Sequence, residues 1–230
     1  MTGHAATLRV KTRAALPALG RATARVWREP GPAERYAEYL FLMHAVVRAS
    51  VPLMQQARSR CAELAPADPI AGPLAAYFAE HSLEERDHDA WLLADLRAVG
   101  RDPDDALRRV PPPVVAELVG AQYYWLLHHH PVALLGYVAV LEEQPGAPEL
   151  PAALERLTGL PPAGFRTLRE HVAEDPEHRA RLDLVLDALP LTPEHEALVA
   201  LSALHTVAAA TRLFTWLADR RLIGVTDRAG

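Results

Sequence analysis

HSLEERDHDAWLLADL, residues 81–96, shows no strand-like alternation, and it lies inside a longer pattern that predicts a helix over about 74–99. His81, Glu85 and His88 are separated by four and by three residues, so at about 3.6 residues per turn they share one face of that helix. Glu84 lies within a turn of His88 as well, and spacing alone leaves open which acid faces the histidines. Taken by itself, a charged run such as 84–89 reads as a solvated helix face.

The helical pattern continues in both directions. Ala, Leu, Arg and Glu dominate, and alternating Val/Ile/Thr runs joined by Gly-containing hairpin turns are absent. Proline and glycine clusters divide the chain, predicting helices at about 33–64, 74–99, 114–129, 132–144, 163–174, 176–189 and 193–221. Thr192-Pro193-Glu194 is a start signal that combines an N-cap oxygen, a proline whose missing N–H costs nothing in the first turn, and an early acid favoured by the helix dipole. The expectation is an all-α fold, one domain over 1–230 built as a bundle of about seven helices, with 1–30 a basic N-terminal helix or arm.

Composition narrows the function. Half of the 230 residues are hydrophobic and 23% are charged, enough for a core and for solubility. The net charge is -5 with both signs interspersed, which argues against nucleic acid as a partner. Cys61 is the one cysteine, so the chain forms no internal disulfide and no Cys-rich metal site, in keeping with a cytoplasmic setting. The N-terminal stretch lacks the apolar centre of a signal peptide. No run reaches the roughly 18 apolar residues of a membrane span, and the nearest, 132–141, reads as a buried core helix.

Two further segments carry chemistry. Glu142 and Glu143 end the apolar 132–141 run, where acids oppose the helix dipole and where a buried carboxylate is costly unless paired or bound to a metal. The plainer reading is an exposed helix end before Pro145. His171, Asp175 and His178 stand in an H-x3-D-x2-H pattern, again at i, i+4 and i+7. Pro176 predicts a kink or restart there, with Asp175 also able to serve as an N-cap. Together with Glu85-x-x-His88, the pair that carboxylate di-iron bundles project inward, these segments offer a mixed N/O donor set suited to iron or manganese.

In the order and separation of three segments the sequence resembles the haem-oxygenase-like di-iron oxidases, often described as iron-containing redox enzymes. The segments are Glu84-Glu85-x-x-His88-x-x-Trp91 with Asp95-Leu96, the stretch from His130 through Tyr137 to Glu142, and His171-x3-Asp175-x2-His178; the likeness spans about 40–189. The resemblance implies a seven-helix fold like haem oxygenase without haem. Two irons would be held by Glu85, His88, Glu142, His171, Asp175 and His178, with Glu142 bridging and with Glu84 and His81 as alternates. It further implies O2 as co-substrate and a small, often amino-acid-derived substrate that undergoes N-oxygenation, desaturation or C–C cleavage. Manganese can take one site, an external electron donor and a homodimer are compatible, and the third ligand helix is often poorly ordered without metal.

His44 falls roughly where haem oxygenases carry their axial histidine, although a buried, hydrogen-bonded core histidine is the plainer reading. His44, Arg48, Tyr137 and His205 are candidates for a substrate pocket, the plainer readings being a salt bridge for Arg48 and core packing for the others. The run His128-His129-His130 reads as a helix C-terminus, because successive helical side chains diverge. Two other classes compete with the di-iron oxidase. A metal-free thiaminase- or quinone-cofactor-synthase-like enzyme would need a nucleophile such as Cys61, which has no evident base. A non-catalytic haem-binding or partner-binding module would leave three inward acids without purpose.

Overall fold

In the computed structural model, residues 3–142 and 148–220 are described, apart from the side chains of Glu174 and Asp175, and every regular element among them is helical. The chain opens with α1 (His4–Thr12), α2 (Leu16–Val26), α3 (Pro32–Val47), α4 (Ser50–Leu64), α5 (Ala71–Glu84) and α6 (His88–Ala98). It continues with α7 (Pro103–Arg108), α8 (Pro113–His128), α9 (Ala133–Glu142), α10 (Leu150–Thr158), a 3-10 turn (Pro162–Phe165), α11 (Arg166–Ala188) and α12 (Pro193–Asp219).

The spine is α12, which packs against α9, α2, α8, α1 and α3. Its start follows the sequence signal: Thr192 Oγ1 accepts from His195 N at 3.3 Å, and Thr192 N donates to His195 Nδ1 at 3.4 Å. Val199, Ala203, Val207, Ala210, Leu213 and Leu217 recur at helical spacing on its buried side. The helix is long and apolar enough to cross a membrane, but half of its most apolar stretch is buried in this bundle, as expected of a core helix. Buried polar groups of the spine find partners: Ser202 Oγ donates to Gln122 Oε1 of α8 at 3.0 Å, and Thr206 Oγ1 donates to the Ser202 carbonyl at 2.8 Å.

Helix boundaries differ from the sequence expectation for local reasons. The 33–64 helix is two, because the ring of Pro52 crowds the carbonyl four residues back, at Arg48, where α3 ends. The 74–99 helix also breaks: Asp87 adopts a left-handed conformation, φ 71° and ψ 3°, which aspartate tolerates better than most side chains. Conversely, α11 runs on through Pro176 as one helix rather than ending and restarting there. A proline forfeits one backbone hydrogen bond, and packing of α11 on α1, α6 and α9 holds the helix across it. The short helices α7 and α10 lie in stretches to which the sequence reading assigned no helix, and there are more than the expected seven helices. The N-terminal region is a docked pair of helices rather than an arm: Asp187 accepts from Ala5 N at 2.9 Å, and Arg9 meets Asp183 at 2.6 Å.

Cys61 is fully buried in α4, and burial, with a smaller contribution from Asp68, pushes its thiol up to about 12. Thiolate is the reactive form. Native protein at pH 8 is therefore expected to leave Cys61 unlabelled by a disulfide reagent over hours, whereas guanidinium-unfolded protein reacts within minutes; rapid labelling of the native state would contradict this burial.

Candidate metal centre

Four helix segments converge. The end of α5 supplies His81 and Glu84, the left-handed turn at Asp87 lies between Glu85 and His88, α9 ends at Glu142, and the middle of α11 carries His171 and His178. The Asp87 break is what lets Glu85 and His88 turn toward α11 from two helices rather than one. Two groups form, within each of which the potential ligand atoms lie within 4.8 Å of one another: His81 with Glu142 and His178, and Glu85 with His88 and His171. His81 Nε2 lies 3.1 Å from Glu142 Oε1, and His88 Nδ1 lies 3.5 Å from Glu85 Oε1. The imidazoles meet edge to face, with centroids 5.3 Å apart for His81 and His178 and 5.1 Å for His88 and His171.

Of the residues singled out in the sequence, His81, Glu85, His88, Glu142, His171 and His178 are brought together. The Asp175 side chain lies outside the described residues. Glu84 faces differently from Glu85. One of its oxygens is bound by Arg181, and the other, buried and without a hydrogen bond, stands 3.4 Å from His81 Nδ1 and 3.7 Å from His178 Nε2, beside the first group. Tyr137 is buried, and its hydroxyl makes no hydrogen bond. His44 is buried but not hydrogen-bonded through Nδ1, and burial, reinforced by Arg48, lowers its pKa. Arg48 is exposed at the end of α3. His205 is taken up by packing: Nε2 donates to the Glu117 carbonyl at 3.2 Å, and the ring meets Trp125 edge-on. The triple-histidine run does close a helix, α8 ending at His128, and His130 beyond it meets Asp68 at 2.9 Å. Tyr77, not singled out from the sequence, stacks on His81 with centroids 5.5 Å apart; its place four residues earlier was the available signal.

The electrostatics show what the two groups lack. Burial opposes protonation of His81, but Glu142, Glu85 and Glu84 outweigh it and raise its pKa. Burial likewise opposes ionisation of Glu85, yet His88, His81 and His171 prevail and lower its pKa. Glu142 is the telling residue. It is 7% exposed, and neither of its oxygens makes a hydrogen bond, the 3.1 Å approach of His81 being off alignment. A buried carboxylate without hydrogen bonds costs several kcal/mol unless a cation answers it. Orphaned carboxylate oxygens among imidazoles are what a hard or borderline cation such as Fe(II) or Mn(II) would satisfy, so these residues fit iron.

A family model described as iron-containing redox enzyme matches residues 37–211. The chain belongs to that family. The fold of this family member is haem-oxygenase-like. A crystal structure from Shewanella denitrificans, a domain of unknown function with a heme oxygenase-like fold, superposes with a TM-score of 0.73 at 18% identity, covering 93% of this chain and 88% of that one. A TenA homolog from Pseudomonas syringae pv. tomato superposes with a TM-score of 0.64 at 12% identity, covering 90% of this chain and 92% of that one. No curated protein matches in sequence.

Proposed function

We propose that this family member is a non-haem di-iron oxidoreductase that uses O2 to oxidise a small metabolite of the amino-acid kind. His81, Glu142 and His178 would hold one iron and Glu85, His88 and His171 the other, with Asp175 joining by its place in the H-x3-D-x2-H pattern. Bound ferrous iron would supply the electrons that O2 needs for reduction. The observation that carries the reading is the pair of Glu142 oxygens, buried and without hydrogen bonds between His81 and His178.

The chain's own residues prepare such a site. Trp91 stacks on His88 with centroids 4.1 Å apart, and the Arg166 guanidinium lies 4.6 Å over that indole, so an aromatic ring and a cation flank the second group. Burial holds the Tyr77 and Tyr137 phenols protonated far above neutral pH, so each keeps a hydroxyl proton to donate. The metal-free alternative finds less support, because its one thiol is buried and protonated in α4.

Anaerobic titration of apo-protein with Fe(II), read by Mössbauer spectroscopy and followed by O2 exposure, tests this. Two irons per chain and O2 consumption are expected. Uptake of haem alone, or of no iron, would overturn the assignment.

A further inference from the structure

The helix that carries His171 and His178 has no cap of its own: Phe165 precedes it, and no side chain nearby in sequence accepts from its first turn. The cap comes from another helix. Asp95 of α6, fully buried, accepts from Thr167 N at 3.0 Å through Oδ2. One residue's peptide groups then work in both directions, because the carbonyl of Thr167 lies 2.8 Å from His171 Nδ1. A carbonyl only accepts, so Nδ1 must carry the proton, and Nε2 is left as the nitrogen with a lone pair.

The entry to α11 is fixed at the same place by two other contacts. Tyr36 donates to the Gly164 carbonyl at 2.8 Å. Gly164 also lies so close to α6 that a Cβ there would fall 2.3 Å from Val99 Cγ1, which leaves no room for another residue. Asp95 belongs to the helix that begins with His88 and Val99 is that helix's C-cap, so α6 presents His88 at one end and anchors the first turn leading to His171 from the other.

We propose that Asp95 is a positioning residue of the metal centre: by capping α11 at Thr167 it holds the carbonyl that fixes His171 in its Nδ1–H form, with Nε2 free to bind a metal. The metal half of this inference rests on the proposed function, whereas the tautomer half does not. Outer-shell partners of ligating histidines are worth roughly 10- to 100-fold in metal affinity.

Two measurements on the whole chain separate the parts. In apo-protein labelled with 15N-histidine, the parent and Asp95→Asn, which keeps an acceptor, are expected to show His171 as the Nδ1–H tautomer, and Asp95→Ala a mixture. In Co(II) titrations the parent and Asp95→Asn should take two equivalents, while Asp95→Ala weakens one of them roughly 10- to 100-fold and leaves the other unchanged. Asp95→Ser, too short to reach Thr167, repeats the Ala experiment if that variant folds poorly. An Asp95→Ala protein that loses thermal stability but keeps the His171 tautomer and both Co(II) affinities would overturn the proposal, reducing Asp95 to a structural cap. A tautomer shift in Asp95→Ala with no Co(II) bound by the parent would uphold the positioning step and sink the metal reading instead.

Discussion

Glu142→Ala and His178→Ala are each expected to abolish O2-dependent oxidation and to weaken Fe(II) binding at one site by at least about 100-fold, the upper end of what even outer-shell changes cost. Far-UV circular dichroism should hardly move. Both residues belong to the group formed with His81, and among the described residues Glu142 is the carboxylate of that group. Removing Glu142 also leaves the buried His81 imidazole, 3.1 Å from Glu142 Oε1 in the parent, without its carboxylate partner, so some loss of apo-protein stability is expected as well. Metal distinguishes the proteins. At a concentration 100 times Kd, each occupied site adds about 2.7 kcal/mol, or roughly 5–10 °C in Tm for a chain of this size. The parent is expected to gain two such increments with Fe(II) under argon, and each variant to gain at most one. Full activity in either variant, or an Fe(II)-induced shift equal to the parent's, would overturn the assignment of this group.

Much of this was legible in the sequence, and what was missed has physical causes. Glu142 stood out as an acid ending an apolar run, and the set as a whole came from the family resemblance. Spacing put His81, Glu85 and His88 on one helix face and His171 with His178 on another, because side chains repeat with the helix period. The same reasoning assumed one straight helix over 74–99. The left-handed turn at Asp87 depends on local backbone energy that a periodicity argument does not see, and it is that turn which lets the segment serve both groups. His81 ranked as an alternate because its partners, Glu142 and His178, come from helices distant in sequence. Glu84 and Glu85 are neighbours of identical type, and only packing against Arg181 of α11 divides them. Pro176 was read by its local rule, but tertiary packing of α11 carries the helix past it. Asp95 gave no local signal as a cap, since the turn it caps begins 72 residues later.

Gly136→Ala should destabilise the protein by about 3 kcal/mol or more, the upper end of overpacking costs, and lower Tm by roughly 6–12 °C. The reason is space, not backbone freedom, because Gly136 lies in the regular helix α9. A Cβ there would fall 2.2 Å from the Val199 carbonyl oxygen, 2.8 Å from Ala203 N and 3.0 Å from Ser202 Cβ. Two of these three atoms are backbone of α12, which cannot rotate away as a side chain could. Nor can α12 retreat easily: the Thr192 box holds its start, and the Arg35 guanidinium donates to the carbonyls of Leu217 and Ala218 at 2.7 and 3.0 Å near its end. Gly20→Ala and Gly120→Ala make the contrast. Both positions are helical with nothing within 4 Å of an added Cβ, so alanine's better helix propensity should leave Tm equal or slightly higher. The clash also reaches the metal centre, because α9 ends at Glu142 less than two turns beyond Gly136. If α9 is pushed off α12, the Glu142 carboxylate moves with it, and Fe(II) affinity should fall in Gly136→Ala while Gly120→Ala binds as the parent does. Calorimetry and Fe(II) titration on the three variants read both effects. A Gly136→Ala protein that melts with the parent would mean that α9 and α12 do not approach this closely, while one that melts early but binds iron normally would mean that the contact supports the fold without setting the position of Glu142.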